Sequence, residues 1–587
     1  MRRLARRTFV KRTLAGGAAL TLAPYYQVLS ANAAGREVLY NGIVLPNKWP
    51  PSEQSDPRKP PPYLVSPPKV IPIDVGRQLL VDDFLIESTT LKRTFHLGRN
   101  YGGNPVLKPD KAWEKKKVPK TGPFPDGVWY DPREKLFKMW YMAGLYPRDT
   151  CYATSKDGIH WNKPKLDVVR GTNIVMPTDG DRRDYATIWL DLNENNPKRR
   201  YKMFQVMHYV PGGMADSRFS LFFSGDGIHW ERIVKTAHRI RGESTSVFYN
   251  PFRKVWVYNI RHRGRGRYSY WTGRHADYQE DVDPIKGTQN LEKSGRIHPW
   301  IFADDLDPRP LGVACQLYSL NCIAYESIIL GLFDIYRGEP SGVDKPKWVD
   351  VCLGYTRDGF YWTRPDRRAF AALSDKSGDW NYGYVHSAGG GCLVMGDMLF
   401  FYMHGTSARL PGEKLGAGYT GLVTLRRDGF ASMDAGLVEG TLTTRPVRFS
   451  GVHKFVNVDC DKGELRVEVL DAQNKVIAPF SRDNCIPIKA DRTLQAVQWR
   501  GVGDLSKVVG KTVKFRFYLT NGRLYAFWVS PAPNGASHGY IAAGGPGFTG
   551  HTDTVGLDGY QLSERPPTPS GRSALNQRNA SGYAKKF

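Results

Sequence analysis

Apolar and aromatic residues occur along this chain in short runs and alternations that have the length of β-strands. Examples are residues 136–142, 201–206, 255–260 and 398–402. Each run is rich in aromatic or β-branched residues and is bounded by turn-forming residues, which is typical of strands rather than helices. The pattern predicts an all-β protein.

One turn motif recurs between these runs. Ser-Lys-Asp-Gly-Ile-His-Trp begins at Ser155, and close copies begin at Ser224 and Thr356, with a shortened copy at Asp428 and a degenerate one at Asp277. The Asp residues are 69, 51, 81 and 70 residues apart. Asp-Gly favours a tight hairpin turn, and similarity at such a period indicates an array of small antiparallel sheets. We therefore predict a five-bladed β-propeller over residues 74–446.

The pattern changes after residue 446. Residues 465–470, 513–519 and 524–529 alternate between apolar and polar positions, and Asn521-Gly522 supplies a hairpin turn between the last two. These strands predict a β-sandwich over residues 447–564. Residues 79–86 form a further predicted strand, which we expect to close the propeller by pairing with its last blade.

The two ends of the chain have compositions of their own. Residues 1–33 combine the pair Arg6-Arg7, an apolar segment and a small-residue end, as a twin-arginine export signal does. Residues 34–73 contain a proline-rich stretch and predict a linker, and residues 565–587 predict a disordered tail. We therefore expect a periplasmic or extracellular protein.

Charge and cysteine content narrow the possible partners. The formal net charge is +26, and it is still +20 without the six basic residues of the predicted signal. Such a surplus attracts anions, and export favours a uronic or sulfated polysaccharide over nucleic acid.

No apolar run is long enough for membrane insertion. The seven cysteines lack metal-site spacing, although Cys460 and Cys485 could form a disulfide.

Acidic residues begin three successive predicted blades. Asp126, Asp184 and Glu243 are 58 and 59 residues apart, so they occupy equivalent positions in the repeat. The first strands of propeller blades surround a common axis. We therefore expect the three carboxyl groups to converge there, whereas the alternative is that they cap turns or pair with arginines.

These acids, the Ser-x-Asp-Gly-x-His-Trp units and the trailing sandwich resemble glycoside hydrolase families 32 and 43. The resemblance implies that Asp126 is the nucleophile or general base, Glu243 the general acid, and Asp184 a stabiliser of the transition state. It covers roughly residues 95–560. The blocks around Asp126, Arg183-Asp184 and Glu243 keep the acids of the family-32 signature and one arginine but lose its other residues.

Five further residues are predicted to bind substrate. Arg183 directly precedes Asp184, and Trp129 could stack on a sugar face. Arg261 begins the densest basic run, residues 261–267, which is either an anion clamp or a solvated hairpin. Glu326 begins the fourth repeat and rivals Glu243 as the acid, and His386 begins the fifth. In family-43 relatives an axial histidine helps to hold a water molecule or a calcium ion, which the resemblance extends to His386. No cofactor is otherwise required, and no metal-ligand set is predicted.

The sequence thus predicts an exported glycoside hydrolase. The alternative is a non-catalytic glycan-binding propeller in which the same acids serve structure. A sialidase-like propeller, with an arginine cluster and a nucleophilic tyrosine, is a third possibility, but such propellers usually have six blades rather than five.

Overall fold

The computed structural model describes residues 30–31, 35–52, 56–145, 148–178, 181–209, 216–265, 272–293 and 295–561. The predicted export signal, except residues 30 and 31, and the predicted tail lie outside this part of the chain. Within it, no helix has the length and hydrophobicity needed to cross a bilayer. The described residues include three short α-helices: α1 (Pro62–Val65), α2 (Pro284–Gln289) and α3 (Asp558–Gln561).

Strands account for nearly all the other regular structure. The first seven are β1 (Ser30–Ala31), β2 (Glu37–Val38), β3 (Ile71–Pro72), β4 (Gln78–Leu79), β5 (Ile86–Thr89), β6 (Lys92–Phe95) and β7 (Arg99–Asn100). The central strands are β8 (Thr121–Asp131), β9 (Leu136–Ala143), β10 (Asp149–Ser155), β11 (Trp161–Asn162), β12 (Ile174–Met176), β13 (Arg182–Leu190), β14 (Tyr201–His208), β15 (Ser217–Ser224), β16 (Glu231–Lys235), β17 (Ser246–Asn250), β18 (Val255–Arg265), β19 (Thr272–Asp281), β20 (His298–Phe302), β21 (Gln316–Glu326), β22 (Ile328–Gly338), β23 (Trp348–Thr356), β24 (Tyr384–Ser387), β25 (Leu393–Met395), β26 (Met398–Arg409) and β27 (Gly416–Arg426). The last strands are β28 (Ala431–Ala435), β29 (Gly440–Thr444), β30 (Val447–Arg448), β31 (His453–Asp459), β32 (Glu464–Leu470), β33 (Asp491–Ala496), β34 (Lys514–Thr520), β35 (Gly522–Ser530) and β36 (Tyr540–Ile541).

The central strands form successive antiparallel units. These units are β8–β11, β13–β16, β17–β20, β21–β23 and β24–β27, and the first two join through a parallel pairing of β8 with β13. The short strand β7 pairs with β27 and so adds an earlier part of the chain to the last unit. The all-β class, with a propeller followed by a sandwich, is confirmed.

Hydrogen bonds connect the first strands of the units into a closed ring. Thr187 on β13 pairs with Asp126 on β8, and its Oγ1 accepts a bond of 3.3 Å from the backbone N–H of Val247 on β17. Asn321 on β21 donates to Ser387 beside it on β24 at 2.8 Å. The remaining links run from Ser246 Oγ to Leu320 O at 2.6 Å and from Gly389 N to Pro125 O at 2.9 Å.

The repeated motif forms the predicted turn. Asp157 accepts bonds of 2.8 Å from the backbone N–H groups two and three residues later, and Asp226 and Asp358 do the same at 2.8 and 2.9 Å. The carbonyl of Gly158, whose φ is +74°, accepts from Tyr402 of the last unit at 2.6 Å. The turn therefore links neighbouring units. The prediction of a degenerate copy of this turn at Asp277 is wrong, because Asp277 lies within β19.

The sandwich has two sheets and extends beyond the predicted boundaries. One contains β33, β31, β35, β28, β6 and β4, and the other contains β32, β34, β29 and β5. The strand predicted to close the propeller therefore belongs here, because β4 pairs with β35 and β5 with β29. Conversely, β36 lies within the predicted sandwich region of the chain but pairs with β21 of the propeller. An alternating pattern indicates a strand but not its partner.

The proline-rich segment packs against the rest of the molecule. Leu39, Ile43, Tyr63 and Ile71 are buried in the core of the sandwich. The prediction of a linker over residues 34–73 is therefore wrong for this part, because its apolar residues are buried with those of the sandwich. All seven cysteines are buried and free, so Cys460 and Cys485 form no disulfide.

Candidate functional site

Charged and aromatic side chains collect where the first strands of the units begin. Lys120 directly precedes β8, Asp184 lies near the start of β13, Glu243 precedes β17, and Tyr318 lies near the start of β21. The axial mouth, as we name this end of the ring, is formed by Lys120, Arg148, Arg183, Asp184, Glu243, Arg261, Tyr318, Lys347, Tyr384 and His386.

Asp126 lies beneath the axial mouth and is fully buried. Its Oδ1 accepts a bond of 2.7 Å from Arg183, and its Oδ2 accepts one of 3.0 Å from the backbone N–H of Phe124. Burial raises the pKa of Asp126 against the opposing effect of Arg183. Because neither oxygen faces solvent, the structure favours a role in holding Arg183 over direct attack on a substrate.

Asp184 is one of the two carboxylates of the axial mouth, and 17% of its side chain is exposed to solvent. Its oxygens lie 2.9 Å from His208 Nε2 and 3.2 Å from Arg148. Burial opposes ionisation, but the hydrogen bond with His208 and the charge of Arg148 prevail and lower the pKa of Asp184 to about 2. This carboxyl group is therefore ionised at neutral pH.

Glu243 is the second partly exposed carboxylate, with 18% of its side chain exposed. It accepts hydrogen bonds from Arg261 and, at 2.8 Å, from Arg263. Arg261 also donates to the carbonyl of Tyr318 at 3.1 Å and lies over the ring of that residue. Arg261 thus connects Glu243 to Tyr318 on β21.

Cations outnumber carboxylates in the axial mouth. Lys120 is buried and has no ion pair in the described part of the chain. Burial, together with repulsion from Arg148, Lys347 and Arg183, lowers the pKa of Lys120 to about 7. An incoming anion would relieve this repulsion.

Tyr318 is the residue at which several of these charges meet. Lys347 donates to its hydroxyl at 2.8 Å, and Arg261 and Arg274 lie over its ring at 4.9 and 5.2 Å. Burial raises the pKa of Tyr318, but the charges of Lys347 and Arg261 outweigh this effect and lower it to about 8. Its phenol is therefore close to titration at neutral pH.

Two buried histidines form the floor beside Tyr318. The rings of His386 and His404 are parallel, with centroids 6.3 Å apart, and His386 Nδ1 lies 3.2 Å from Asp334. The Nε2 atoms of both lack a hydrogen-bond partner in the described residues. Burial, with repulsion from nearby lysines, lowers the pKa of both histidines, while burial raises the pKa of Asp334 to about 7.

The surroundings of His386 do not fit the calcium ion that the family resemblance suggests. The charged groups that act on it are Lys347, Lys120 and Arg261. The one carboxylate beside it, Asp334, already accepts bonds from Ser319 and Ser387. Calcium requires six to eight oxygen ligands, which this positively charged site does not offer.

Two predicted substrate-binding residues lie elsewhere. Glu326 occupies the last position of β21, at the opposite end of the ring, where it is fully buried against Arg77 and Arg427. Trp129 is buried between units, with its Nε1 bonded to the carbonyl of Ile188 at 2.8 Å. The repeat period identified their strands but not which end of each strand faces the axial mouth.

The axial mouth also contains residues that sequence reasoning missed. Lys120, Arg148, Tyr318 and Lys347 belong to no motif, and each comes from a different strand or loop. The sequence marks three of them only by their place in the chain: Lys120, Arg148 and Lys347 each directly precede a strand. That position is shared by many surface lysines and arginines.

Comparisons with known proteins give distant structural likenesses. The sequence matches no protein-family model and no curated protein. An N-acetylgalactosamine deacetylase from F. plautii matches with a TM-score of 0.39 and 12% identity over 58% of this chain and 96% of that one. A β-fructofuranosidase from Schwanniomyces occidentalis gives a TM-score of 0.33 and 10% identity over 74% and 96%. A thermostable family-43 glycoside hydrolase gives 0.35 and 13% over 54% and 93%.

Proposed function

We propose that this protein hydrolyses glycosidic bonds of an anionic polysaccharide or oligosaccharide at the axial mouth. One observation carries the proposal: the two partly exposed carboxylates Asp184 and Glu243 share this site with an excess of lysine and arginine side chains. Paired carboxyl groups are the usual machinery of glycoside hydrolysis. The surrounding cations suit a substrate that carries its own negative charge, such as a uronic or sulfated glycan.

Asp184 supplies the ionised carboxylate in this proposal. With a pKa of about 2, it stays charged throughout the neutral range. It can therefore activate a water molecule, attack the anomeric carbon, or stabilise the positive charge that develops at that carbon. Asp126 holds Arg183 in place beside it and is a positioning residue.

Glu243 supplies the proton to the departing oxygen. In the structure its carboxylate is held by Arg261 and Arg263, of which Arg263 is 60% exposed. An anionic group on the substrate would compete for these guanidinium groups and free the Glu243 carboxyl group to face the departing oxygen. Charge on the substrate would in this way contribute to catalysis as well as to binding.

Incubation with paired polysaccharides tests the proposal. We expect cleavage of uronic or sulfated polymers, and at least a ~100-fold loss of rate in Asp184→Asn and Glu243→Gln with little change in melting temperature. Glu231→Gln is the matched control, because Glu231 is an exposed acid at the start of β16, away from the axial mouth. Binding without products would instead favour the non-catalytic glycan-binding alternative.

The lowered pKa of Tyr318 and its contact with Lys347 favour a second candidate reaction. This reaction is a β-elimination, which cleaves uronic polymers without water. A phenol whose pKa is about 8 can remove the proton next to a carboxylate that Arg261 and Lys347 neutralise. The bond from the neighbouring carbon to the glycosidic oxygen then breaks, a carbon–carbon double bond forms, and the departing oxygen takes up a proton. Hydrolysis incorporates oxygen from labelled water, whereas elimination gives an ultraviolet-absorbing product and is lost in Tyr318→Phe.

Export by a twin-arginine signal is part of the same proposal, since extracellular polymers are its substrates. Residues 1–33 fused to a folded reporter should carry it across the inner membrane. Replacing Arg6 and Arg7 by lysine should stop transport.

A further inference from the structure

A second group of side chains lies on the hairpin formed by β18 and β19. His262 pairs with His275 across the two strands, and Asp277 follows two residues later on the same face as His275. One donor atom from each of these three side chains lies within 4.8 Å of the others. The three therefore form one cluster although they come from opposite strands.

The cluster opens into a cleft of about 340 Å³, lined by Arg241, Glu243, Arg261, His262, Arg263, Gly264 and His275. The side chains of His262, His275 and Asp277 are 17%, 11% and 12% exposed. A small ion can thus reach them from the cleft while most of their surface is covered.

Neighbouring contacts prepare the cluster for a cation. His262 Nδ1 lies 2.6 Å from Asp277, and its Nε2, which lacks a hydrogen-bond partner in the described residues, lies 3.5 Å from Glu292. Glu292 itself is fixed by the backbone N–H groups of Arg241 and Gly242. Two carboxylates therefore flank the imidazoles, while Arg261 and Arg263, two of the arginines that line the cleft, are engaged by Glu243.

The donor set selects among metals. Two imidazoles and a carboxylate suit zinc and similar divalent transition metals, whereas calcium and magnesium prefer all-oxygen sites. Ligand atoms around a tetrahedral zinc ion are about 3.4 Å apart, given metal–ligand distances of about 2.1 Å. The present 3.8 Å between His275 Nε2 and Asp277 Oδ1 is close to that value.

We propose that His262, His275 and Asp277 bind one divalent transition-metal ion, with zinc as the expected metal. Glu292 is close enough to complete the site or to orient His262, and the side facing the cleft is left open for water or another oxygen ligand. This proposal does not depend on the proposed hydrolysis.

Metal titration of tag-free protein tests it. After treatment with a chelator, zinc should bind at one ion per chain and raise the melting temperature. Cobalt bound in its place should show the visible absorption of a site with nitrogen ligands. His275→Ala and Asp277→Asn should each weaken zinc binding by more than about 100-fold.

His229→Ala is the matched control. His229 also lies beside two carboxylates, Asp226 and Asp167, but at an exposed turn, and among the described residues it belongs to no cluster that joins two imidazoles to a carboxylate. This variant should keep full zinc binding. Less than a tenth of an equivalent of zinc in the wild-type protein, or equal binding in His275→Ala and His229→Ala, would overturn the proposal. The cobalt spectrum of the wild-type protein decides the question if a variant fails to fold.

Discussion

The two ends of the propeller ring carry groups of charged residues that differ in their degree of pairing. At the junction with the sandwich, Arg77 and Arg427 are fully buried against Glu326, Asp428 and Asp553, and we name these five the junction cluster. Each of its charges has at least one opposite charge in contact. The axial mouth, in contrast, is partly open to solvent, and it contains more lysine and arginine side chains than carboxylates.

This difference separates charge that serves folding from charge that is available to a ligand. A buried charge without a partner costs much free energy, so the junction cluster must be complete to be tolerated. Lys120 and Lys347 have no carboxylate partner in the described residues. The repulsion between these positive charges raises the free energy of the folded protein, and an anionic ligand bound between them would remove it.

The largest expected effect comes from breaking the junction cluster. Arg427→Met leaves Glu326 and Asp553 buried with fewer positive partners, and it should lower the free energy of unfolding by about 3–5 kcal/mol. Urea denaturation measures this change. Lys120→Met in the axial mouth is the comparison, because it removes a buried cation that has no ion pair, and it should cost under about 1 kcal/mol. Equal losses in the two variants would contradict the distinction.

The second prediction concerns pH. Lys120 has a pKa of about 7 in the folded protein against an ordinary value of 10.5. Between these values the unfolded chain binds one more proton than the folded chain, so this residue makes stability rise with pH by up to about 1.4 kcal/mol per pH unit. Urea denaturation between pH 7 and 10 should show this slope in the wild-type protein and a smaller slope in Lys120→Met. Identical slopes would mean that Lys120 titrates normally.

The smallest of these effects concerns simple anions. Sulfate at about ten times its dissociation constant should stabilise the wild-type protein by about 1.4 kcal/mol, because it binds the folded axial mouth but not the unfolded chain. Thermal unfolding in sodium sulfate, compared with sodium chloride at equal ionic strength, measures this gain. Lys347→Gln should reduce it, whereas Lys489→Gln, at an exposed site on the sandwich, should not. A gain unchanged in Lys347→Gln would place anion binding elsewhere.

The sequence predicted well the features that depend on local pattern. The turns at Asp157, Asp226 and Asp358 follow from Asp-Gly and its neighbours, and the alternation of residues 513–519 and 524–529 predicted paired strands of the sandwich. The spacing of Asp126 and Asp184 also placed both near the axis, since their strands β8 and β13 pair directly.

The features that sequence could not predict depend on distant contacts. The position of Glu326 in the repeat matches that of Glu243 and so predicts a place at the axial mouth. The structure differs, because Glu326 is the last residue of the long first strand of its unit. Its partner Arg77 lies 249 residues earlier in the chain. Lys120, Tyr318 and Lys347 act together only after the first and fourth units have met around the axis, and no single segment carries a signal of that.

Product analysis of one polymer in two charge states tests the central claim most directly. A uronic polysaccharide and the same polymer with its carboxyl groups reduced to alcohols would be incubated with wild-type protein and with Asp184→Asn, and the products analysed by mass spectrometry. We predict fragments with incorporated water only from the charged polymer and the wild-type protein. Equal fragmentation of both polymers, or undiminished fragmentation by Asp184→Asn, would contradict the account.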